Sequence, residues 1–141
     1  FYGILKPMDG VTPYRLEMQA KAEIEETTNL YDYWGDRLYH SVIDDSRTII
    51  NLASKEYSKC IERYLSDKDN YITITFCELS GDKLVTKGTY AKMARGEMVR
   101  FMAENNIENP VDIQKFDRLG YTFRGNLSSE TEYVFERKII K

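Results

Sequence analysis

The sequence has 141 residues, of which 42% are hydrophobic and 30% are charged, and its formal net charge is −3. With eight glycines and three prolines this composition is typical of one globular domain, here residues 1–141, and excludes a collagen-like or largely disordered chain. The sequence contains no apolar run near the roughly 18–20 residues that span a bilayer, which argues against a membrane protein.

The first part of the chain predicts short extended segments followed by a helix. Turn-forming residues are frequent up to residue 18. Residues 17–45 then carry eight acidic and two basic side chains, which is typical of a solvated face. Asn29 is predicted to cap a helix whose apolar side chains recur every four residues: Leu30, Trp34, Leu38 and Val42.

The middle of the chain alternates between strand and helix patterns. A short strand is predicted from Thr48 to Ala53, and Ser54 is predicted to cap the helix that follows. The apolar stripe of this helix is Tyr57, Cys60, Ile61, Tyr64 and Leu65. Alternation over residues 71–77 predicts a half-buried strand with Ile72, Ile74 and Phe76 on one face. A turn then leads into a strand over 83–87.

The last third predicts the longest helix and two closing strands. Thr89 is predicted to cap a helix over about 89–105, with an apolar stripe of Tyr90, Ala94, Met98, Phe101 and Met102. Asn109 and Pro110 start a short helix, so residues 89–116 have the outline of a helix-hairpin-helix pair. Strands over 121–124 and 133–139 follow. The intermixed elements favour an α+β fold with mixed or antiparallel strands and amphipathic helices.

A basic segment over residues 83–100 stands out because the rest of the chain is acidic. It holds five basic side chains and one acidic side chain. Lys92 and Arg100 share a helix face with Gly96, and Arg95 lies beside them. Because phosphate binding needs only a local positive field, we predict phosphate contacts by Lys87, Lys92, Arg95 and Arg100. A solvated helix face with a packing glycine is the alternative.

A second set of polar residues predicts a site at the other end of the chain. Arg15 and Glu17 fall on one side of an extended segment, and Asn51 and Glu56 flank the start of a helix, where anions are favoured. These four are candidate catalytic residues of an uncharacterised enzyme acting on a nucleotide or DNA base. A helix cap with a buried Arg–Glu pair is the structural alternative, and no known reaction motif supports the enzyme.

The sequence contains few of the cysteine and histidine side chains on which redox and metal sites depend. Cys60 and Cys77 are too far apart in sequence for a disulfide scaffold or a zinc site, and His40 is the only histidine. We expect two reduced core thiols and predict no metal site and no cofactor.

Five blocks, in order along the chain, resemble the YaaA peroxide-stress protein family. They are Tyr2-Gly3-Ile4-Leu5-Lys6-Pro7 with Pro13-Tyr14-Arg15-Leu16-Glu17-Met18, Leu30-Tyr31 with Trp34-Gly35, Asn51-Leu52-Ala53-Ser54-Lys55-Glu56-Tyr57, Tyr90-Ala91-Lys92 with Ala94-Arg95-Gly96, and a closing segment of Phe116, Gly120-Tyr121, Phe123, Phe135 and Arg137. The part of the family that precedes these blocks, with its Ser-Pro-Ala-Lys motif, has no counterpart here. With a start at Phe1, we expect the C-terminal portion of a YaaA-like protein.

The resemblance implies a cytoplasmic, bacterial-type protein that limits damage from peroxide and free iron. It also implies an α+β fold that binds double-stranded DNA, without strong sequence specificity, through a basic cleft and a helix-hairpin-helix-like element. No established catalytic reaction comes with it. An exposed sheet edge left by the missing portion predicts self-association of the chain.

Overall fold

A computed structural model describes residues 2–6, 8–13, 17–21, 27–81 and 83–138. The chain divides into two compact units. The first consists of residues 1–49 and 53–70, and the second of residues 50–52 and 71–141. No helix in these described ranges is long and apolar enough to cross a membrane.

The first unit contains three short helices. They are α1 (Leu30–Trp34), α2 (Arg37–Val42) and α3 (Lys55–Glu62). Asn29 caps α1 as predicted, because its Oδ1 accepts a hydrogen bond of 3.0 Å from the backbone N–H of Asp32. The prediction of a single helix reaching Val42 is wrong. Gly35 ends α1 with a φ of 51°, which glycine adopts without strain, and α2 starts afresh after it.

The core of the first unit is small, and α3 contributes less of it than predicted. Met18, Leu30, Leu38 and Cys60 are its buried members. The helix ends at Glu62, before Tyr64 and Leu65, and Tyr57 is half-exposed rather than on the buried face. Ser54 occupies the N-cap position of α3, but its hydroxyl makes no capping hydrogen bond.

The carboxylate of Asp69 holds the end of this unit together. Its side chain is fully buried, and it forms an ion pair of 2.6 Å with the Nη2 group of Arg47. The Tyr39 hydroxyl donates to it at 2.9 Å, and the backbone N–H and hydroxyl of Ser66 donate at 2.7 and 2.9 Å. One acidic side chain thereby connects α2, the turn before Thr48 and the turn that precedes Asn70.

These bonds make the acid stability of the chain depend on Asp69. Burial raises the pKa of its carboxyl, but the hydrogen bonds from Ser66 and Tyr39 and the charge of Arg47 outweigh burial and leave the pKa below 3.8. Because the folded pKa is lower than the unfolded one, the stabilisation is present above pH 3.8 and is lost as pH falls through the folded value. We expect the free energy of unfolding of Asp69→Asn to fall less steeply below pH 4 than that of the wild type, measured by urea unfolding at several pH values.

Exposed Asp67 provides the control for this experiment, since Asp67→Asn removes the same charge without these bonds. Its acid dependence should follow the wild type. An equal slope in wild type and Asp69→Asn would show that Asp69 does not set the acid dependence.

The second unit is built on a mixed sheet with one long helix. The elements are β1 (Thr48–Asn51), β2 (Asn70–Ser80), β3 (Lys83–Val85), α4 (Gly88–Glu104), β4 (Tyr121–Phe123), β5 (Glu132–Arg137) and 3₁₀ helices at Pro110–Lys115, Arg118–Gly120 and Gly125–Leu127. In the described part of the chain the sheet has five strands in the order β1-β2-β5-β4, with β3 paired to β2. The β2–β5 pair is parallel, and β2–β3 and β4–β5 are antiparallel. The predicted α+β fold with mixed strands is confirmed.

Apolar residues of β2 and α4 form the core of this unit. Ile72, Ile74 and Phe76 are buried as the alternation predicted. The helix begins at Gly88, and its N-cap is Lys87 rather than the predicted Thr89. Its buried face is Ala91, Ala94, Met98 and Phe101. Tyr90, predicted in this stripe, is 41% exposed.

Candidate nucleic-acid interface

Lys92 and Arg100 lie on the face of α4 opposite its buried side, and Arg95 lies at the flank of that face. Lys92, Gly96 and Arg100 are exposed, and Arg95 is half-buried, so the predicted common face is present. A Cβ atom built on Gly96 would have no described atom within 4 Å, and Gly96 therefore does not pack against another element described in the structure. A ligand backbone can approach the helix closely at this position.

The four predicted phosphate contacts differ in how far their charge is already neutralised. Arg100 donates from Nε to the Glu104 carboxylate at 2.7 Å, one helical turn away. Lys87 forms an ion pair with the buried carboxylate of Glu78. Lys92 and Arg95 form no hydrogen bond or ion pair with any described residue. The free positive charge of α4 is therefore concentrated in its first half, at Lys92 and Arg95.

Arg118 adds a network at the end of α4 that the sequence did not predict. Its Nη2 group donates to Glu104 at 2.7 Å, its Nη1 group lies 3.4 Å from Glu97, and its guanidinium stacks over the Phe101 ring. The hydrogen bonds from Arg100 and Arg118 lower the pKa of Glu104. The hydrogen bond to Glu104 raises the pKa of Arg118. The pairing of Arg100 with Glu104 was visible in the sequence as an i, i+4 spacing.

The connector after α4 does not offer its first N–H groups to a phosphate. The backbone N–H groups of residues 105–107 donate to carbonyls of the last turn of α4, and Asn106 has a φ of 48°. The next element, Pro110–Lys115, is a 3₁₀ helix capped by the Asn109 side chain, whose Oδ1 accepts from the N–H of Val111 at 3.0 Å. The cap at Asn109 is confirmed. The N–H groups of residues 105–107 are therefore already engaged within the chain.

A buried charged cluster lies at the amino end of α4. Glu78, on β2, is 1% exposed and faces two cations, the Lys87 ammonium and the Nε group of Arg137 at 3.4 Å. The guanidinium of Arg137 lies 3.6 Å from the centroid of the Tyr90 ring. Burial raises the pKa of Tyr121, which pairs with Arg137 in the β4–β5 register. The sequence analysis did not identify Glu78 as a buried charged residue, although Glu78 continues the alternation of buried residues in β2.

The residues predicted for an enzyme site have structural partners where the structure describes them. In the first unit, Glu56 accepts a 2.9 Å hydrogen bond from the N–H of Met18, and its carbonyl accepts one from the Tyr31 hydroxyl. Glu17 is exposed beside this contact. In the second unit, Asn51 is buried, and its Nδ2 donates to the Thr73 hydroxyl at 3.3 Å. Arg15 lies outside the described residues.

Potential metal ligands do not cluster in the part of the chain that the structure describes. No group of three or more His, Cys, Asp or Glu side chains there could hold an ion. Cys60 and Cys77 are both free and buried, and burial raises the pKa of each thiol.

Comparison with known proteins gives a consistent group of relatives. Residues 1–127 match the family model described as "Peroxide stress protein YaaA". A UPF0246 protein from Agathobacter rectalis is 79% identical over 99% of this chain and 56% of its own length. The UPF0246 protein from Lachnoclostridium phytofermentans is 56% identical over 96% of this chain and 53% of its own length. The one from Clostridioides difficile is 43% identical over 97% of this chain and 56% of its own length. The chain thus spans about half the length of the curated relatives it matches.

Proposed function

Because the chain belongs to the YaaA family of peroxide stress proteins, we propose that it serves the peroxide stress response by binding the phosphate backbone of double-stranded DNA. The observation that carries this proposal is a pair of cations on a long helix, exposed Lys92 and half-buried Arg95, that form no ion pair with a described residue. Arg100 contributes less than its position suggests, because Glu104 already shares its charge.

The geometry supports binding that depends on phosphate rather than on base sequence. Lysine and arginine side chains on an exposed helix face attract the charged backbone without reading base edges. The open surface at Gly96 lies between Lys92 and Arg100 and lets a strand approach the helix. Neither feature supplies a bidentate contact for a particular base, so we expect similar affinities for duplexes of different sequence.

The alternative of an enzyme acting on a nucleotide or DNA base gains no support from the described residues. Two of its candidate residues, Glu56 and Asn51, are engaged in hydrogen bonds that secure the local fold. We therefore retain the binding proposal alone.

The salt dependence of DNA binding tests the two cations directly. Each phosphate contact steepens the plot of log K against log salt concentration by about 0.9. We expect the double variant Lys92→Ala/Arg95→Ala to bind a duplex more weakly and with a slope shallower by about 1.8. Fluorescence anisotropy titrations of one labelled duplex at several salt concentrations measure both quantities.

A matched control separates local contact from overall charge. Lys59→Ala/Lys68→Ala removes the same charge from two exposed positions of the first unit and should leave the slope close to that of the wild type. Equal slopes for wild type and the α4 double variant would contradict the assignment. The same slope change in both double variants would show that only net charge matters.

A further inference from the structure

The guanidinium of Arg137 is held in place, yet it keeps donors without a partner. Stacking on Tyr90 and a 3.4 Å ion pair between Nε and Glu78, which is not a hydrogen bond, orient the guanidinium, and the side chain is only 17% exposed. Its two terminal amino groups form no hydrogen bond or ion pair with the residues that the structure describes. A guanidinium fixed in this way presents a planar pair of donors that matches two oxygens of one phosphate or carboxylate group.

Lys87 supplies a second cation beside this pair of donors. Its side chain is 51% exposed and shares the Glu78 carboxylate with Arg137. Because Glu78 is 1% exposed, a solute contacts the two cations and not the carboxylate. One carboxylate under two cations leaves the cluster with a net positive charge, and the amino end of the 17-residue helix α4 adds to it.

We propose that Glu78, Lys87, Tyr90 and Arg137 form a binding site for a terminal phosphate, the phosphomonoester of a nucleotide or of a 5′ nucleic-acid end. Arg137 and Lys87 bind the phosphate oxygens. Glu78 and Tyr90 are positioning residues that hold Arg137. The nucleic-acid form of the ligand rests on the proposed function, whereas the free nucleotide does not.

Exposure and charge favour a terminal phosphate over an internal one. An internal phosphodiester is flanked by a sugar on each side and carries one negative charge, whereas a terminal phosphate protrudes and has three free oxygens. Arg137 is mostly buried, so a protruding group reaches it more readily. A phosphomonoester with its second pKa near 6 carries a charge close to −2 at pH 7, so the net positive cluster attracts it more strongly than a phosphodiester with one negative charge.

Two duplexes of identical sequence, one with 5′-phosphates and one with 5′-hydroxyls, test the site. We expect the wild type to bind the phosphorylated duplex about tenfold more tightly, and expect this ratio to approach one in Lys87→Ala and in Arg137→Lys. Arg137→Lys keeps the charge beside Glu78 and loses only the planar fork. The double variant Lys92→Ala/Arg95→Ala should weaken binding of both duplexes and leave their ratio unchanged.

A titration with a nucleoside 5′-monophosphate, followed by calorimetry, separates this proposal from the previous one. Saturable binding that Arg137→Lys weakens supports the site even if neither duplex binds, in which case only the DNA-binding proposal fails and the ligand is a free nucleotide. Equal affinity of the wild type for the two duplexes, together with no binding of the monophosphate, overturns the site. A phosphorylated-duplex preference that persists in both Lys87→Ala and Arg137→Lys also overturns it.

Discussion

Replacing Phe116 by alanine is expected to lower the free energy of unfolding by about 3–5 kcal/mol. The Phe116 ring is 1% exposed and meets three other rings edge-on: Phe76 at 5.9 Å, Phe101 at 5.5 Å and Phe135 at 5.7 Å between centroids. These partners come from β2, α4 and β5, so the cavity opens where all three elements meet and cannot be filled by a shift of one of them. Urea unfolding followed by far-UV circular dichroism measures the loss.

Val111 provides the control for Phe116→Ala. It lies in the 3₁₀ helix just before Phe116 and is 57% exposed. Val111→Ala should change the free energy of unfolding by about 0.5 kcal/mol or less. A loss below about 1 kcal/mol in Phe116→Ala would show that the aromatic cluster does not hold these elements together.

The alternation of apolar residues predicted the core of the sheet but did not predict that Glu78, near the end of β2, is buried. Ile72, Ile74 and Phe76 follow the alternation of β2, and the same alternation carried one step further reaches Glu78. A carboxylate on the buried face is tolerated because Lys87 and Arg137 approach it. Arg137 comes from β5, so no pattern within β2 could reveal that partner.

The helices of the first unit show a different limit. Leu30 and Leu38 are both buried, as the spacing of four predicted, yet they belong to separate helices. Spacing records which side chains face the core and does not record whether the backbone between them stays helical. Gly35 was the local signal for the break, since glycine supplies the positive φ that ends α1.

The sequence predicted a basic surface on α4, and whether that surface binds phosphate stays a prediction. The charge pattern identified α4, in which Lys92 and Arg100 are exposed and Arg95 is half-buried. Which of them remain available depends on acidic partners. Glu104 neutralises Arg100 within the helix and could have been identified from spacing, whereas Glu78 reaches Lys87 from a neighbouring strand. Counting charges along the sequence therefore overestimates the positive charge open to a ligand.

Replacing Glu78 by alanine is expected to lower the free energy of unfolding by about 3–5 kcal/mol, because a mostly buried Arg137 loses its counter-charge. Exposed Glu130 provides a matched control, and Glu130→Ala should cost about 0.5 kcal/mol or less. Urea unfolding of the 141-residue chain measures both variants.

The double variant Glu78→Leu/Arg137→Met shows whether this cost comes from charge or from packing. An unpaired buried charge accounts for most of the penalty in a single variant, and removing both charges abolishes it while keeping apolar volume in place. We therefore expect the double variant to be more stable than Glu78→Ala. Equal losses in both would show that the carboxylate acts by filling space.

The same double variant lacks the guanidinium of the proposed phosphate site. It should therefore fold and yet bind a 5′-phosphorylated duplex no better than the unphosphorylated one. A variant that keeps its stability but loses its preference for the phosphorylated duplex would show that the buried Glu–Arg pair serves binding rather than folding.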